Sequence, residues 1–128
     1  MVIGGGGFAG TELAEEIVSY KEKIAEQHGL DKNCLQLTII QGSDRLLKEL
    51  DVHVSALAQK RLAGPNAKFA FGGHITKVDD QKVYTDDKKE YPYEILIWTG
   101  GVEANSIGAK SSLPLSKRGQ FNVNNFLQ

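Results

Sequence analysis

Three glycines near the start of the chain have the spacing expected of a phosphate-binding turn. The stretch "VIGGGGFAGTE" (2–12) contains Gly5-x-Gly7-x-x-Gly10 directly after a short apolar run. In this register Gly5 makes the tight turn that leaves a strand, and Gly7 leaves room for a pyrophosphate that a Cβ would block. Gly10 lets the following helix pack closely on the strand. The spacing therefore predicts a site for the pyrophosphate of a nicotinamide dinucleotide.

The first turn of the following helix supplies the donors that such an anion needs. Backbone N–H groups from about Phe8 and Ala9 to Thr11 lack partners inside the helix, and the helix dipole adds positive charge there. Two alternatives are a glycine-rich turn without a ligand and a P-loop. No Gly-Lys-Ser/Thr follows the glycines, which disfavours the P-loop.

The residue after the second predicted strand bears on which dinucleotide binds. An acidic residue usually stands there and holds the adenosine ribose hydroxyls. This chain has Gln41, followed by Gly42-Ser43-Asp44-Arg45. A glutamine can hydrogen-bond a ribose hydroxyl but does not repel a 2′-phosphate. The sequence thus leaves NADH and NADPH both open, with Arg45 either a phosphate ligand or a solvated turn residue.

The elements around these residues alternate between strand and helix. The order indicates an α/β fold with a parallel central sheet, helices on one face and a small antiparallel β-meander. The predicted elements are a strand over 2–4, a helix over 11–28, a strand over 34–40, a helix over 51–62 ended by Gly64-Pro65, a strand over 67–71, a polar meander over 74–94 and a buried parallel strand over 94–101.

The first helix carries an apolar face and a clear end. Leu13, Ile17, Tyr20 and Ile24 recur at spacings of three and four, which predicts that they face the core. Gly29 stands where a helix C-cap belongs.

Composition excludes several classes of protein. The formal net charge is -1, without a basic block for nucleic acid. No apolar run approaches the ~18 residues of a membrane span, and no metal-ligand spacing occurs. The single cysteine, Cys34, cannot form an internal disulfide and is interpreted as a small packing residue in a reducing compartment. We therefore expect a cytoplasmic location.

Longer stretches resemble a known family. "VIGGGGFAGTELAEEI", "IAEQHGLDKNCLQLTIIQGSDRLLKELD", "ILIWTGGVEAN" and "LPLSKRGQFNV" are together similar to the NADH-binding domain of type II NADH dehydrogenases. These are flavoproteins of the pyridine nucleotide-disulfide oxidoreductase superfamily, whose NADH domain has a Rossmann-like fold and is inserted in an FAD domain. The resemblance implies an NAD(H)-binding domain over 1–104 and a segment over 105–128 that returns towards an FAD domain absent from this chain.

The same resemblance implies roles for further residues. Gly5, Gly7 and Gly10 would wrap the pyrophosphate, and Glu12 would lie near the nicotinamide. Ile75 would line the adenine. At the other end of the site, Gly100 and Gly101 would let the nicotinamide ring approach the backbone closely.

The implied reaction is hydride transfer from NADH to FAD and then to quinone. The cofactors perform this chemistry, so no acid, base or nucleophile is required of this chain. The parent protein would be peripheral on the cytoplasmic face of a membrane, and the chain alone would bind dinucleotide weakly and catalyse nothing. The alternatives are a domain of another NAD(P)H–flavin reductase, such as a ferredoxin reductase, and a free-standing NAD(H) sensor. Trp98, inside the last strand, is interpreted as a core residue.

Overall fold

A computed structural model describes residues 1–31, 33–64 and 67–128 of the chain. The elements follow the predicted order. They are β1 (Val2–Gly4), α1 (Phe8–His28), β2 (Leu37–Gln41), α2 (Val52–Leu62), β3 (Ala67–Phe71), β4 (Ile75–Val78), β5 (Lys82–Thr85), β6 (Glu90–Pro92), β7 (Leu96–Trp98) and a 3₁₀ turn (Gly108–Lys110).

Four strands form a parallel sheet in the order β3-β2-β1-β7. Because the strands are parallel, their carboxyl ends lie along one edge, where ligands of open α/β sheets bind. The polar region forms a separate antiparallel sheet in the order β4-β5-β6. The predicted α/β class and the meander are both confirmed.

Alternate residues of the central strands bury opposite faces of the sheet. Ile3 and Ile39 pack with Ala14 of α1 and Leu62 of α2 on one face. On the other face, Val2 and Ile40 pack with Val83 of the meander. Both helices therefore cover one face, as predicted, and the meander covers the other. This leaves the carboxyl edge of the sheet open.

The apolar face of α1 is only partly the predicted one. Leu13 and Ile17 pack against the core, but Tyr20 and Ile24 are 50% and 42% exposed. At 1.5 Å per residue, the 21 residues of α1 extend about 30 Å, whereas the five residues of β2 extend about 17 Å. The second half of the helix therefore reaches beyond the sheet. The end of α1 is as predicted, since Gly29 adopts the left-handed conformation of a C-cap.

Two predictions of buried residues are wrong. Cys34 is exposed because β2 begins only at Leu37, which leaves the cysteine in the preceding turn. The last strand is parallel but short, and it lies at the edge of the sheet. Trp98, interpreted above as a core residue, is consequently 59% exposed. The helix α2 was predicted to be ended by Gly64-Pro65, and of these two residues Pro65 lies outside the part of the chain that the structure describes.

The segment over 105–128 contains a β-bridge between two of its own residues. Leu115 and Phe121 form an antiparallel bridge around a turn that ends at Gln120. Most of its large apolar side chains are exposed, including Phe126 and Leu127 at 81% and 82%.

Candidate functional site

The chain leaves β1 through a corner that requires glycine. Gly5 has a φ of 120°, which favours glycine, and a Cβ there would lie 2.8 Å from the hydroxyl oxygen of Thr99. The Thr99 hydroxyl donates to the carbonyl oxygens of Gly4 and Gly5, at 3.2 and 3.0 Å. The N–H of Gly5 donates to the carbonyl oxygen of Ile40 at 2.8 Å. The corner is therefore fixed between β2 and the residue after β7.

Gly7 is the N-cap of α1 and borders open space. A Cβ built on Gly7 meets no heavy atom within 4 Å. No side chain caps the helix, and the first intrahelical bond runs from the N–H of Thr11 to the carbonyl oxygen of Gly7 at 3.0 Å. The N–H groups of Phe8, Ala9 and Gly10 therefore precede that bond at the positive end of the helix dipole. This arrangement suits an anion such as a pyrophosphate.

Gly10 differs from Gly7 in that it is closely packed against other atoms of the chain. A Cβ at Gly10 would collide with the carbonyl oxygen of Gly5 and lie 2.7 Å from the hydroxyl oxygen of Thr99. The glycine thus permits the first turn of α1 to pack against the corner. The open space at Gly7 and the close packing at Gly10 are the geometry that the spacing predicts.

Gln41 is bonded to the glycine-rich loop and the turn that follows β2. Its Oε1 accepts from the N–H of Gly6 at 2.8 Å, and its Nε2 donates to Ser43 Oγ at 2.8 Å. Ser43 Oγ in turn donates to the carbonyl oxygen of Arg45 at 2.8 Å. The N–H of Leu47 also donates to the carbonyl oxygen of Gly6 at 2.8 Å. Gln41 therefore lies where its position in the sequence predicts, but its amide already holds the loop in place.

A cavity of about 470 Å³ lies along the carboxyl edge of the sheet, within the range typical of ligand pockets. It extends from the turn after β2 to the residues after β7. Four of the predicted site residues line it, namely Gly5, Gln41, Ile75 and Gly100. The other lining residues are Gly4, Ile40, Gly42, Ser43, Lys48, Gly73, His74 and Trp98.

The described residues that line this cavity are positively charged or neutral. Among the described residues that line it, Lys48 carries the formal charge and there is no carboxylate. His74 lies near Gly42, and its Nδ1 is 3.4 Å from a carboxylate oxygen of Asp86. A cavity of this kind suits a ligand that carries phosphate groups.

The remaining predicted residues lie outside the lining of the cavity. Gly7, Ala9 and Gly10 belong to the adjoining loop and helix start. Phe8 and Glu12 line a second groove of about 220 Å³, between α1 and α2. Gly101 has a φ of 95°, and a Cβ there would meet open space. Because α1 begins at Phe8, Glu12 stands in its second turn and not in the first.

Sequence reasoning did not assign a role at the cavity to Ser43, Lys48, His74 or Trp98. The general rule that ligands bind at the carboxyl ends of parallel strands could have found Ser43 and His74, since they follow β2 and β3. The glycines that follow Trp98 closely in the sequence, Gly100 and Gly101, indicated a close approach to the backbone there and could have drawn attention to Trp98. No comparable signal marks Lys48, which reaches the cavity through the turn between β2 and α2.

Two kinds of feature are absent from the described residues. They contain no group of three or more His, Cys, Asp or Glu side chains placed to hold a metal ion. None of their helices combines the length and apolar character needed to cross a bilayer.

Comparison with known proteins places the whole chain in one sequence family. The model of the pyridine nucleotide-disulphide oxidoreductase family matches residues 1–128. A type II NADH:quinone oxidoreductase of Haemophilus influenzae is 28% identical over 131 residues, which cover 100% of this chain and 30% of that protein. An external alternative NAD(P)H-ubiquinone oxidoreductase of Solanum tuberosum is 31% identical over 79% of this chain and 18% of that protein. The chain thus spans less than a third of these relatives, and the resemblance to type II NADH dehydrogenases is confirmed.

Solved structures share the fold. NDH2 from Plasmodium falciparum in complex with NADH has a TM-score of 0.72 at 21% identity, covering 85% of this chain and 24% of that one. A ferredoxin reductase from Rhodopseudomonas palustris has a TM-score of 0.62 at 22% identity, covering 90% of this chain and 27% of that one. At these identities the likeness concerns the fold, which both kinds of reductase have in common.

Proposed function

Because the chain belongs to the pyridine nucleotide-disulphide oxidoreductase family, we propose that it is the NAD(H)-binding domain of an FAD-dependent NADH dehydrogenase. The observation that carries this proposal is the open space at Gly7 beside the uncapped start of α1. At Gly5 and Gly10 a Cβ would collide with other atoms of the chain, so packing within the chain explains why these residues are glycines. At Gly7, by contrast, no atom of the chain fills the space where a Cβ would lie. A ligand with a pyrophosphate accounts for that difference.

The residues present fit an NAD(H) molecule along the carboxyl edge. The glycine-rich loop and the N–H groups of Phe8 and Ala9 would bind the pyrophosphate. The adenosine would extend towards Gln41, the last residue of β2, and Ile75, the first residue of β4, and the nicotinamide would extend towards Gly100 and Gly101. The role of Glu12 near the nicotinamide stays a prediction; its carboxylate would have to act from the start of the groove between the helices.

The contribution of the chain to the reaction is binding and orientation. When bound, the nicotinamide supplies the hydride chemistry. Hydrogen bonds from Thr99 to Gly4 and Gly5 keep the corner rigid, so that the dinucleotide is held in one position. Gln41 fixes the same loop from the side of β2. No described residue is assigned as an acid, a base or a nucleophile.

The proposed parent also contains an FAD domain and reduces a quinone. Residues 1–104 form the NAD(H)-binding domain in this proposal, and 105–128 lead towards the FAD domain. The segment exposes several large apolar side chains that a covering domain would bury, namely Ile107, Leu113, Phe121, Val123, Phe126 and Leu127, and this supports the division. The parent would act at the cytoplasmic face of a membrane, where quinones are available. The sequence relatives named as NADH:quinone oxidoreductases favour this acceptor over a ferredoxin.

The proposal is tested by titrating the 128-residue chain with NADH and following amide hydrogen exchange. NADH should bind, and it should protect the amides of residues 5–11 while leaving the second half of α1 unchanged. The purified chain should be colourless, without bound FAD. If NADH did not bind, or if it protected only amides in the groove between α1 and α2, the proposed site would be contradicted.

A further inference from the structure

The side chain of Trp98 occupies an unexpected place for a large aromatic residue. It is the last residue of β7 and pairs with Gly4 in the sheet register, yet 59% of its surface is exposed. The indole lines the cavity at the carboxyl edge together with Gly100. Trp98 therefore presents an aromatic surface to the cavity instead of filling the core.

Two glycines allow the indole to lie directly on the backbone. A Cβ at Gly4 would be 2.9 Å from the indole Cε3, and a Cβ at Gly100 would be 2.5 Å from the indole Cζ2. Either side chain would displace the indole from its present position. The family resemblance implied that the nicotinamide ring approaches the backbone at Gly100, but the indole of Trp98 covers that backbone. A ligand on this side of the cavity therefore contacts an aromatic face.

We propose that Trp98 is the contact residue for the nicotinamide ring and that its indole binds the oxidised ring more strongly than the reduced one. This inference rests on the proposed NAD(H) site. With the pyrophosphate at Gly5 and Gly7 and the adenosine towards β2, the other half of the dinucleotide extends along the cavity towards β7. Trp98 and Gly100 line the cavity on the side of β7, and Gly4 lies against both the indole and the side chain of Ile75.

The preference for the oxidised ring follows from charge. Oxidised nicotinamide is an electron-poor cation, which the negative face of an indole attracts, whereas the dihydronicotinamide is neutral. Trp98 would consequently favour the oxidised form of the coenzyme at this end of the site. A role in packing alone would not distinguish the two forms.

The fluorescence of the chain offers a direct test, because Trp98 is its only tryptophan. The chain is titrated with NAD⁺, nicotinamide mononucleotide and 5′-AMP, none of which absorbs the tryptophan emission. NAD⁺ and nicotinamide mononucleotide should quench the emission. 5′-AMP should bind without quenching, since it lacks the electron-poor nicotinamide ring.

Substitutions separate the aromatic contact from a general effect on folding. Trp98→Leu should weaken NAD⁺ binding by about 3- to 10-fold, weaken NADH binding less, and leave 5′-AMP binding unchanged. Trp98→Phe keeps an aromatic face and should recover most of the NAD⁺ affinity. Tyr20→Leu, at an aromatic residue of similar exposure on α1, is the matched control and should change none of the affinities.

The outcomes are distinguishable. Equal losses for NAD⁺, NADH and 5′-AMP in Trp98→Leu would assign Trp98 a purely structural role and overturn the inference. Unchanged NAD⁺ affinity in that variant, or NAD⁺ binding without quenching, would also overturn it, while leaving the dinucleotide site in place. If the unsubstituted chain binds neither NAD⁺ nor NADH, the proposed function fails and this inference fails with it.

Discussion

Substituting valine for Gly7 separates the binding of a ligand from the stability of the fold. The backbone of Gly7 has φ and ψ of -76° and -164°, an extended conformation that other residues adopt. Since a Cβ there meets no heavy atom within 4 Å, the valine side chain should be accommodated without a clash. The same side chain would project into the space proposed for the pyrophosphate. We therefore expect Gly7→Val to fold and to lose dinucleotide binding.

The two effects differ in size. Valine is a poorer N-cap than glycine, which costs about 1 kcal/mol. The smaller entropy of the unfolded chain offsets roughly half of that cost. The fold should survive, because domains are stable by about 5–15 kcal/mol. In binding, loss of two hydrogen bonds to a charged phosphate removes about 3–6 kcal/mol, which corresponds to a loss of affinity of at least about 100-fold.

Calorimetric titration with NADH and a thermal melt measure both effects on the same protein. Gly64→Val is the matched control, because a Cβ at Gly64 also meets no heavy atom within 4 Å but the residue precedes β3, at the opposite edge of the sheet. That variant should bind NADH like the unsubstituted chain. If Gly7→Val bound NADH with unchanged affinity, the assignment of the pyrophosphate to this corner would be refuted.

Three further predictions concern other parts of the chain. Gly10→Ala should fail to fold or melt far below the unsubstituted chain, because its Cβ would collide with the carbonyl oxygen of Gly5; an unchanged melting temperature would mean that α1 can move away. Gln41→Glu should weaken the binding of NADPH relative to NADH by repelling the 2′-phosphate, and an unchanged ratio of the two dissociation constants would show that residue 41 is remote from the ribose. In the meander, hydrogen bonds from the N–H of Gln81 and the hydroxyl of Tyr84 lower the pKa of Asp79 below its usual 3.8. The charged Asp79 therefore stabilises the fold above that pH and the contribution is lost as the pH falls through the lowered pKa, so Asp79→Asn should flatten the loss of stability in acid; identical acid unfolding curves would contradict this.

The glycine corner could be predicted from the sequence because its determinants are local. A turn with positive φ at Gly5, a close contact at Gly10 and an open N-cap at Gly7 all lie within six residues, and the spacing alone relates them to one another. The fold class followed from local patterns as well. Residues of opposite faces alternate along β1 and β2, and the α1 helix ends at Gly29 as its sequence indicates.

Burial at the edges of the sheet could not be predicted in the same way. An apolar run such as that of 94–101 looks alike whether the strand is central or at the edge, so Trp98 was assigned to the core. For α1, periodicity identified the apolar face but not the point at which the sheet beneath the helix ends. Tyr20 and Ile24 lie beyond that point and are exposed, although they were predicted to face the core. Both errors arise because burial depends on which elements cover a residue, and no local pattern records that.

By itself the sequence determined the parallel α/β order, the glycine corner and the position of Gln41 at the end of β2. The tertiary structure alone decided that the Gln41 amide is bonded to Gly6 and Ser43, that Lys48 and His74 reach one cavity, and that the indole of Trp98 lies over Gly4 and Gly100. Backbone conformation is set mainly by neighbours along the chain, whereas a cavity is formed by residues from several strands and turns. Their positions relative to one another exist only once the sheet has assembled.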